Sequence, residues 1–502
     1  MRPLWLHAGS GVPLADVPDI GADGLAAACV DLKAGGARLV AMLPLAAAPA
    51  REALDVLVVF ADDAANRMGM LLARFRPGAP YPAVTALLPE AQAYERELWE
   101  DHGIVPDGHP WLKPLRRHAE LGGAEPNPQR SVDAHPFFRV DGPGVHEVAV
   151  GPVHAGIIEP GHFRLQCRGE EVLSLEIRLG YQFRDAERAL VAGTPNRRLA
   201  VAESVAGDGA VGHALAHCLA VEGLAGVEVP LAAQVVRGVA LELERIAAHV
   251  GDLGALAGDT GYLPAAAWFG RLRGEVLNLL MEVSGSRFGR GLVVPGGVRF
   301  GIGAAARVAL VERLGPVERD VRAAAAVLFD AASVLARFEG TGHVTRDVAE
   351  ELGLVGPVAR ASGVSRDARR DHPHGIYRFA IIPVSSGDSG DVMARAMVRW
   401  LEIQRSLVFV REQLAELRDG PWAVPVPPPL PGAVVVTVVE GWRGEIVHVA
   451  ATAADSALAA YRIVDPSFHN WFGLTMAMRG NAVSDFPLCN KSFNLSYAGH
   501  DR

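Results

Sequence analysis

Two histidines, a glutamate and an arginine crowd one short, turn-rich segment of this chain. It reads Gly151-Pro152-Val153-His154-Ala155-Gly156-Ile157-Ile158-Glu159-Pro160-Gly161-His162-Phe163-Arg164. Its glycines and prolines make it a hairpin tip, and a plain turn would account for them. The ionisable side chains suit proton handling. Imidazole titrates near neutrality, and a partly buried carboxyl can be raised towards it. A second set falls on the long apolar run that starts at Leu231. Arg245, His249 and Asp252 stand at i, i+4 and i+7, on one helical face, with Asp259 beyond them. A solvated stripe is the simpler reading of that face. His213 stands in an Ala- and Gly-rich stretch, where satisfying a backbone group would explain it.

Holding these groups in place requires a hairpin and a helical body. Residues 145–153, 163–167 and 171–178 read as strands. Helical periodicity then dominates, over 182–192, 209–222, 231–256, 266–284, 304–337, 348–352 and 391–417. The span 231–256 is the longest clean one, about seven turns at 3.6 residues each. The proline-rich stretch 421–431 marks a boundary. Residues 434–439 and 445–451 read as a hairpin across 440–444, and a mixed segment follows. Residues 1–120 read as a small α/β domain, with strands at 53–61 and 67–76 and a helix at 90–102. In that helix Ala91, Tyr94, Leu98 and Trp99 recur at helical spacing, and Gly103 stops it. The polar residues 121–134 read as a linker to a larger unit, 135–502.

Bulk properties exclude several functions. The 502 residues carry a formal charge of -9, which argues against a nucleic-acid partner. Half of them are hydrophobic, enough for sizeable cores. The cysteines Cys29, Cys167, Cys218 and Cys489 are far apart, so there is no Cys-x-x-Cys motif, and their scarcity fits a reducing compartment. The first residues lack the apolar core of a secretory leader, so none is expected. No apolar run approaches the roughly 18 residues of a membrane span, so membrane association would come through partners. Phosphate-cradling, dinucleotide-binding and nucleophile-elbow motifs are absent from the sequence.

Longer strings carry a resemblance. Tyr94-Glu95-Arg96-Glu97-Leu98-Trp99-Glu100-Asp101-His102-Gly103-Ile104, then Gly108-His109-Pro110, resembles the Y-E-R-E-x-x-D-x-F-G-I-x-x-x-G-H-P signature of the 30-kDa-type subunit of respiratory complex I, with His102 in place of Phe. The hairpin 151–164 is similar to the E-G-H-x-R hairpin of NiFe-hydrogenase large subunits and to the quinone-end hairpin of the complex I 49-kDa-type subunit. Glu242-Leu243-Glu244-Arg245-Ile246-Ala247-Ala248-His249, with Asp259-Thr260-Gly261, resembles a helix of both families. Leu179-Gly180-Tyr181-Gln182-Phe183-Arg184 resembles G-Y-x-H-R with Phe183 replacing His. Shorter matches follow in order, among them Arg360-Ala361-Ser362-Gly363, Arg443-Gly444-Glu445, Asp465-Pro466-Ser467-Phe468 and Asp501-Arg502.

Two further matches are incomplete. Residues 203–213 resemble the hydrogenase motif E-R-V-C-G-I-C-G-x-A-H, and 494–502 resemble D-P-C-x-x-C-x-D-R. The thiolates of those motifs fall on Ala206, Gly209, Ser496 and Gly499. Nickel and iron need soft thiolate ligands there, and these residues supply none.

The fold class implied is α+β: a small N-terminal α/β domain, then a mainly helical NiFe-hydrogenase large-subunit-like domain that opens with a β-hairpin region. The chain resembles a fusion of the two complex I-type subunits in the form found in membrane-bound hydrogenases of the formate hydrogenlyase or hydrogenase-4 type. The implied role is a subunit of a redox-driven, ion-translocating oxidoreductase complex, without a NiFe centre. Glu159 would occupy the proton-gate position, joined in proton handling by His162, Asp252 and Asp259. His154, Arg164, His213 and His249 would contact a cofactor or ligand. No metal ligand is expected from this chain, a quinone is the ligand left open, and an iron–sulfur cluster would sit on a partner. The partners implied are an iron–sulfur small subunit and antiporter-like and proton-channel-like membrane-arm subunits. They would form a hetero-oligomer with this chain at the cytoplasmic face of the cell membrane. The resemblance also has the chain ending where processed family members end, as expected without nickel insertion. Two alternatives stand beside this reading: a non-catalytic scaffold in such a complex, and an atypical hydrogenase or formate hydrogenlyase subunit with displaced ligands.

Overall fold

The computed structural model describes residues 2–45, 53–76, 78–116 and 135–502. The linker expected at 121–134 lies outside the described residues. The class is α+β. The N-terminal part contributes β1 (Leu4–Leu6), β2 (Val12–Pro13), α1 (Gly21–Ala34), β3 (Arg38–Pro44), β4 (Leu54–Asp62), β5 (Arg67–Phe75), β6 (Pro80–Pro82), α2 (Gln92–His102) and β7 (Val105–Asp107). Strands β1, β5, β4 and β3 lie in that order in one antiparallel sheet. From Val56 to Ala61 the central strand β4 is wholly buried. That explains its unbroken apolar run, since a strand covered on both faces has no polar side to present.

A second antiparallel sheet follows, from β8 (Val145–Val150), β9 (His162–Arg168) and β10 (Glu171–Arg178). The strand expected to reach 153 stops at Val150. Gly151 turns the chain there at φ +85°, and a Cβ on it would lie 2.1 Å from the Gly161 carbonyl oxygen, so only glycine fits.

Helices then build the body: α3 (Ala186–Ala192), α4 (Pro195–Ala202), α5 (Ala210–Ala225), α6 (Leu231–Asp259) and α7 (Leu263–Ser284). After the short pair β11 (Val293–Val294) and β12 (Gly297–Val298) come α8 (Ala304–Phe329), α9 (Ala332–Phe338), α10 (Arg346–Glu351), α11 (Gly356–Ala361), α12 (Ala368–Asp371) and α13 (Val392–Glu416). Two expectations need correction. The helix expected from 182 starts at Ala186, because Gly180 and Gln182 spend their N–H groups on the Asp501 carboxylate. The helix expected over 304–337 is two, because Ala331 takes an extended ψ of 107° with no glycine or proline to announce it. Helix α6 is buried on nearly every side, as the central helix of a large core should be. Its Gly254 lets α7 approach so closely that a Cβ there would stand 2.8 Å from the Phe269 Cβ.

The chain closes with β13 (Ala433–Gly441), β14 (Gly444–Thr452), β15 (Leu458–Val464), α14 (Pro466–Ala477), α15 (Phe486–Phe493) and α16 (Tyr497–Asp501). The expected hairpin is present, with only Trp442 and Arg443 between its strands. It forms an antiparallel sheet ordered β15–β14–β13–β2, so N-terminal β2 completes a C-terminal sheet. Period-2 alternation divides β13 between two cores. Val434, Val436 and Val438 join the N-terminal core, whereas Val435 and Val439 pack on the helical side. The N-terminal sheet and the C-terminal hairpin thus share one apolar core.

Candidate functional site

A cavity of about 1060 Å³ opens where the hairpin tip, the loop before α5, one face of α6 and the last segment meet. Its α6 wall is formed by Glu244, Ala247, Ala248, Gly251, Asp252 and Asp259, a single stripe at helical spacing. Asp252 lies at the edge of that stripe. Arg245 and His249, grouped with it by spacing, point to its other side and into the protein.

The structure brings His154, Glu159, Asp252 and Asp259 to this cavity. His154 Nε2 lies 3.4 Å from the Tyr497 hydroxyl, and burial lowers the imidazole pKa, so the ring is neutral at neutral pH. The Glu159 carboxylate accepts from the Ala498 N–H at 3.1 Å. Asp252 accepts from Arg399 Nε at 2.7 Å and from Asn494 Nδ2 at 2.5 Å. Asp259 stands at the open end of α6, where partial burial raises its pKa against the pull of Lys491.

His162, Arg164, His213 and His249 do not reach the cavity. His162 donates from Nδ1 to the Gly151 carbonyl at 3.2 Å and accepts from Arg164 Nε at 3.1 Å. Arg164 also pairs with Glu147 and lies over the Phe137 ring, 4.4 Å from its centroid. Both residues therefore hold the outside of the β8–β10 sheet, because alternate strand residues face opposite ways. His213 lies between His448 Nε2, at 3.1 Å, and Asp465 Oδ2, at 3.0 Å. His249 pairs with Glu402 at 2.8 Å.

Sequence reasoning missed several groups. Arg443 reaches Asp208 with both terminal nitrogens, at 2.6 and 2.8 Å, and donates from Nε to the Asn494 carbonyl at 2.6 Å. Its guanidinium lies over Trp442, 3.9 Å from the ring centroid. Glu244 accepts from the Val211 and Gly212 N–H groups at the start of α5, at 2.7 and 3.2 Å. Burial nevertheless pushes its carboxyl up to about 8. A glutamate on an apolar helix face was the only signal for it. Behind α6 lies a buried ion cluster in which Arg360 holds Glu402 at 2.6 Å and Glu440 at 2.7 Å. Arg245 and Arg369 both reach Glu242 at 3.1 Å.

Positions 206 and 209 adjoin each other, as do 496 and 499, and the His213–Asp465 contact links the two pairs. A Cβ on Gly209 would lie 3.7 Å from the Ala206 Cβ and 3.8 Å from His213. A Cβ on Gly499 would lie 2.5 Å from the Asp465 Cγ, inside contact distance. The Ser496 hydroxyl caps α16 by accepting from the Gly499 N–H at 2.9 Å. Asp465 is held in place because it accepts from His213 and, at 2.7 Å, from the Ser467 N–H. A methyl, two hydrogens and an engaged hydroxyl do not fit a thiolate-held metal. Among the described residues, no cluster of three or more His, Cys, Asp or Glu is arranged to hold a metal ion.

Comparison with known proteins bears on this geometry. Residues 259–431 match the family model described as the respiratory-chain NADH dehydrogenase 49 Kd subunit, and 21–133 match that of the 30 Kd subunit. Formate hydrogenlyase subunit 5 of Escherichia coli K12 is 30% identical over 437 residues, covering 84% of this chain and 77% of that protein. Hydrogenase-4 component G of the same organism is 30% identical over 436 residues, 84% of this chain and 76% of the relative. NADH-quinone oxidoreductase subunit 4 of Thermus thermophilus is 28% identical over 363 residues, 67% of this chain and 89% of the relative.

Proposed function

The chain belongs to the family of fused 30-kDa/49-kDa-type subunits that includes formate hydrogenlyase subunit 5 and hydrogenase-4 component G, and on that premise we propose that its cavity works without nickel, as the acceptor and proton-handling site of a complex I-like redox complex. Relatives of this kind are subunits of multi-subunit hydrogenase and complex I assemblies. The observation that carries the proposal is the set of positions 206, 209, 496 and 499, where a methyl, two glycines and a helix-capping hydroxyl stand with no sulfur among them.

The cavity suits a quinone-class acceptor. Its volume is that of an organic-ligand pocket. His154 and Tyr497 offer hydrogen-bond groups at one end, with Ile157, Leu277 and Phe486 as apolar wall. Reduction of a quinone takes two electrons and two protons. The electrons would come from an iron–sulfur small subunit. The protons would pass through Glu159 and Asp252. Asp252 would lose its charge next to Arg399 on taking up a proton and regain it on passing the proton to the quinone, and that change would reach α6 and the membrane-arm partners. No helix among the described residues is long and apolar enough to cross a membrane. By analogy with the membrane-bound complexes of its relatives, the chain would attach peripherally through its partners, at the cytoplasmic face of the membrane.

The test is made on the purified complex. Metal analysis without stoichiometric nickel, no dihydrogen turnover, and quinone-dependent electron transfer lost in a Glu159→Gln, His154→Ala variant are the expected results. Stoichiometric nickel would sink the proposal and make the chain a hydrogenase with displaced ligands. Electron transfer unchanged in that variant would leave it a scaffold.

A further inference from the structure

Five buried side chains run in unbroken hydrogen-bond contact from the Gly499 position along one face of α5 to its next turn. Asp465 Oδ2 meets His213 Nε2 at 3.0 Å. His213 Nδ1 meets His448 Nε2 at 3.1 Å. His448 Nδ1 meets the Tyr461 hydroxyl at 2.7 Å, and that hydroxyl meets His217 Nδ1 at 3.0 Å. None of the five is more than 2% exposed. The elements explain the alignment. His213 and His217 are one turn apart on α5, so they share the face that packs on the last sheet. His448 on β14 and Tyr461 on β15 rise from that sheet between them, and Asp465 caps α14 directly after β15.

The proton positions follow from one end. An ionised carboxylate only accepts, so with a single ring proton His213 carries it on Nε2 and offers Nδ1 as an acceptor. His448 must then donate from Nε2 and accept at Nδ1. Tyr461 donates to that nitrogen, and its oxygen accepts from His217 Nδ1–H. Every hydrogen in the chain points towards Asp465. The His213 and Arg443 groups facing Asp465 favour its charged form over the cost of burial. Asp208 and His469 also face Asp465, Arg198 faces His217 and Tyr461, and Cys218 faces Tyr461.

We propose that Asp465, His213, His448, Tyr461 and His217 form a single oriented proton relay that ties the charge of Asp465 to the tautomer of His217. A proton delivered to His217 Nε2 by a hydronium ion, which leaves as water, releases the Nδ1 proton to the Tyr461 oxygen. The Tyr461 hydroxyl proton passes to His448 Nδ1, the His448 Nε2 proton to His213 Nδ1, and the His213 Nε2 proton to Asp465 Oδ2. One proton enters and one carboxylate is neutralised. All three rings end as the opposite tautomer, and no electron moves. The relay rests on this geometry and not on the acceptor proposed for the cavity. The nickel and quinone assays can fail while it stands, and the reverse.

The experiment is nitrogen NMR of the full chain labelled with 15N-histidine. In the unaltered protein His213 and His448 are expected as Nε2–H tautomers and His217 as Nδ1–H. Any other assignment for one of them overturns the relay without recourse to a variant. Asp465→Asn replaces the end acceptor by an amide that can donate to His213 Nε2. All three rings should then exchange their protonated and unprotonated nitrogen resonances. A folded Asp465→Asn protein whose His217 resonances stay put refutes the coupling. Adding Tyr461→Phe should leave His213 and His448 inverted but stop His217 from responding. A merely structural polar network gives no reason for that selective loss. If His217 still inverts with Phe at 461, the path does not run through Tyr461 and the proposal fails.

Discussion

Replacing Glu244 by glutamine removes a titrating carboxyl from the cavity wall and keeps its shape. In the folded chain two backbone N–H groups at the start of α5 favour the carboxylate, as does the nearby Arg245. Burial outweighs them, with Asp208 adding to it, and raises the group from 4.5 to about 8. The unfolded chain holds the same carboxyl near its ordinary value, so the folded state binds the extra proton. The stability from this group is therefore complete below about pH 4.5 and is lost as pH rises through about 8. A gap of roughly 3.5 units at 1.36 kcal/mol per unit makes that loss about 5 kcal/mol, an order-of-magnitude figure. Glutamine cannot titrate. Its amide faces one of the two N–H donors, which costs about 1–2 kcal/mol at every pH. Urea unfolding of both proteins across this window should give a wild-type stability that falls relative to Glu244→Gln by about 1.4 kcal/mol per pH unit. Parallel curves would refute the argument, because they would mean that Glu244 is ionised throughout.

Three other perturbations test the surroundings. Gly499→Ala should destabilise by about 1–3 kcal/mol in urea unfolding, because its methyl meets an Asp465 that His213 and Ser467 hold still. Gly270→Ala, at a helical site with open space around the new methyl, should be neutral or slightly stabilising and serves as the control. Arg360→Met leaves Glu402 and Glu440 buried without their shared partner and should cost about 3–5 kcal/mol, read as a lowered urea midpoint or loss of soluble protein. Guanidinium neighbours hold Asp367 down at about 2 and Glu402 well below the usual carboxylate range. Their stabilisation is present above the ordinary carboxylate values and should disappear as pH falls from about 4 towards 2, read by circular dichroism in acid.

Elements with strong periodicity were legible in the sequence, and those closed by long-range partners were not. The runs of β4, β5 and β10 and the stripes of α6 and α13 state their own period, so spans read from them agree with the structure to within a few residues. Helix α1 is Ala- and Gly-rich and has little apolar contrast between its faces. Strand β15 carries Tyr461 and Arg462 among alanines, because both find buried partners elsewhere. The site divides in the same way. Glu159 and Asp252 stand out as charge in apolar or turn-rich surroundings. Asp208 and Arg443 each enter the sequence reading only inside a motif match, and neither match names the partner 235 residues away. His162 and Arg164 were grouped with Glu159 because they are close in sequence. The pleat of β9 places them on the outer side of its sheet, and only a register could have separated the two sets.

A thiolate-held metal would tie the loop at 206–209 to the segment at 496–499 through one ion, and such a tie contributes folding energy directly. Here two polar contacts span the same gap. Arg443 joins Asp208 in the loop to the Asn494 carbonyl just before the final helix. Asp465 lies under Gly499 and reaches back to His213 on α5. Neither tie equals a metal in strength. The Asp208 side chain is 40% exposed, so its ion pair belongs with the weaker, screened kind. The Asp465–His213 contact is buried, which makes it the stronger of the two. The consequence is mechanical as well as thermodynamic. A metal cluster fixes both segments whatever the protonation of the residues around it, whereas the Arg443 tie depends on Asp208 remaining charged. The tie between the loop and the last segment is therefore electrostatic, resting on the Asp208–Arg443 pair.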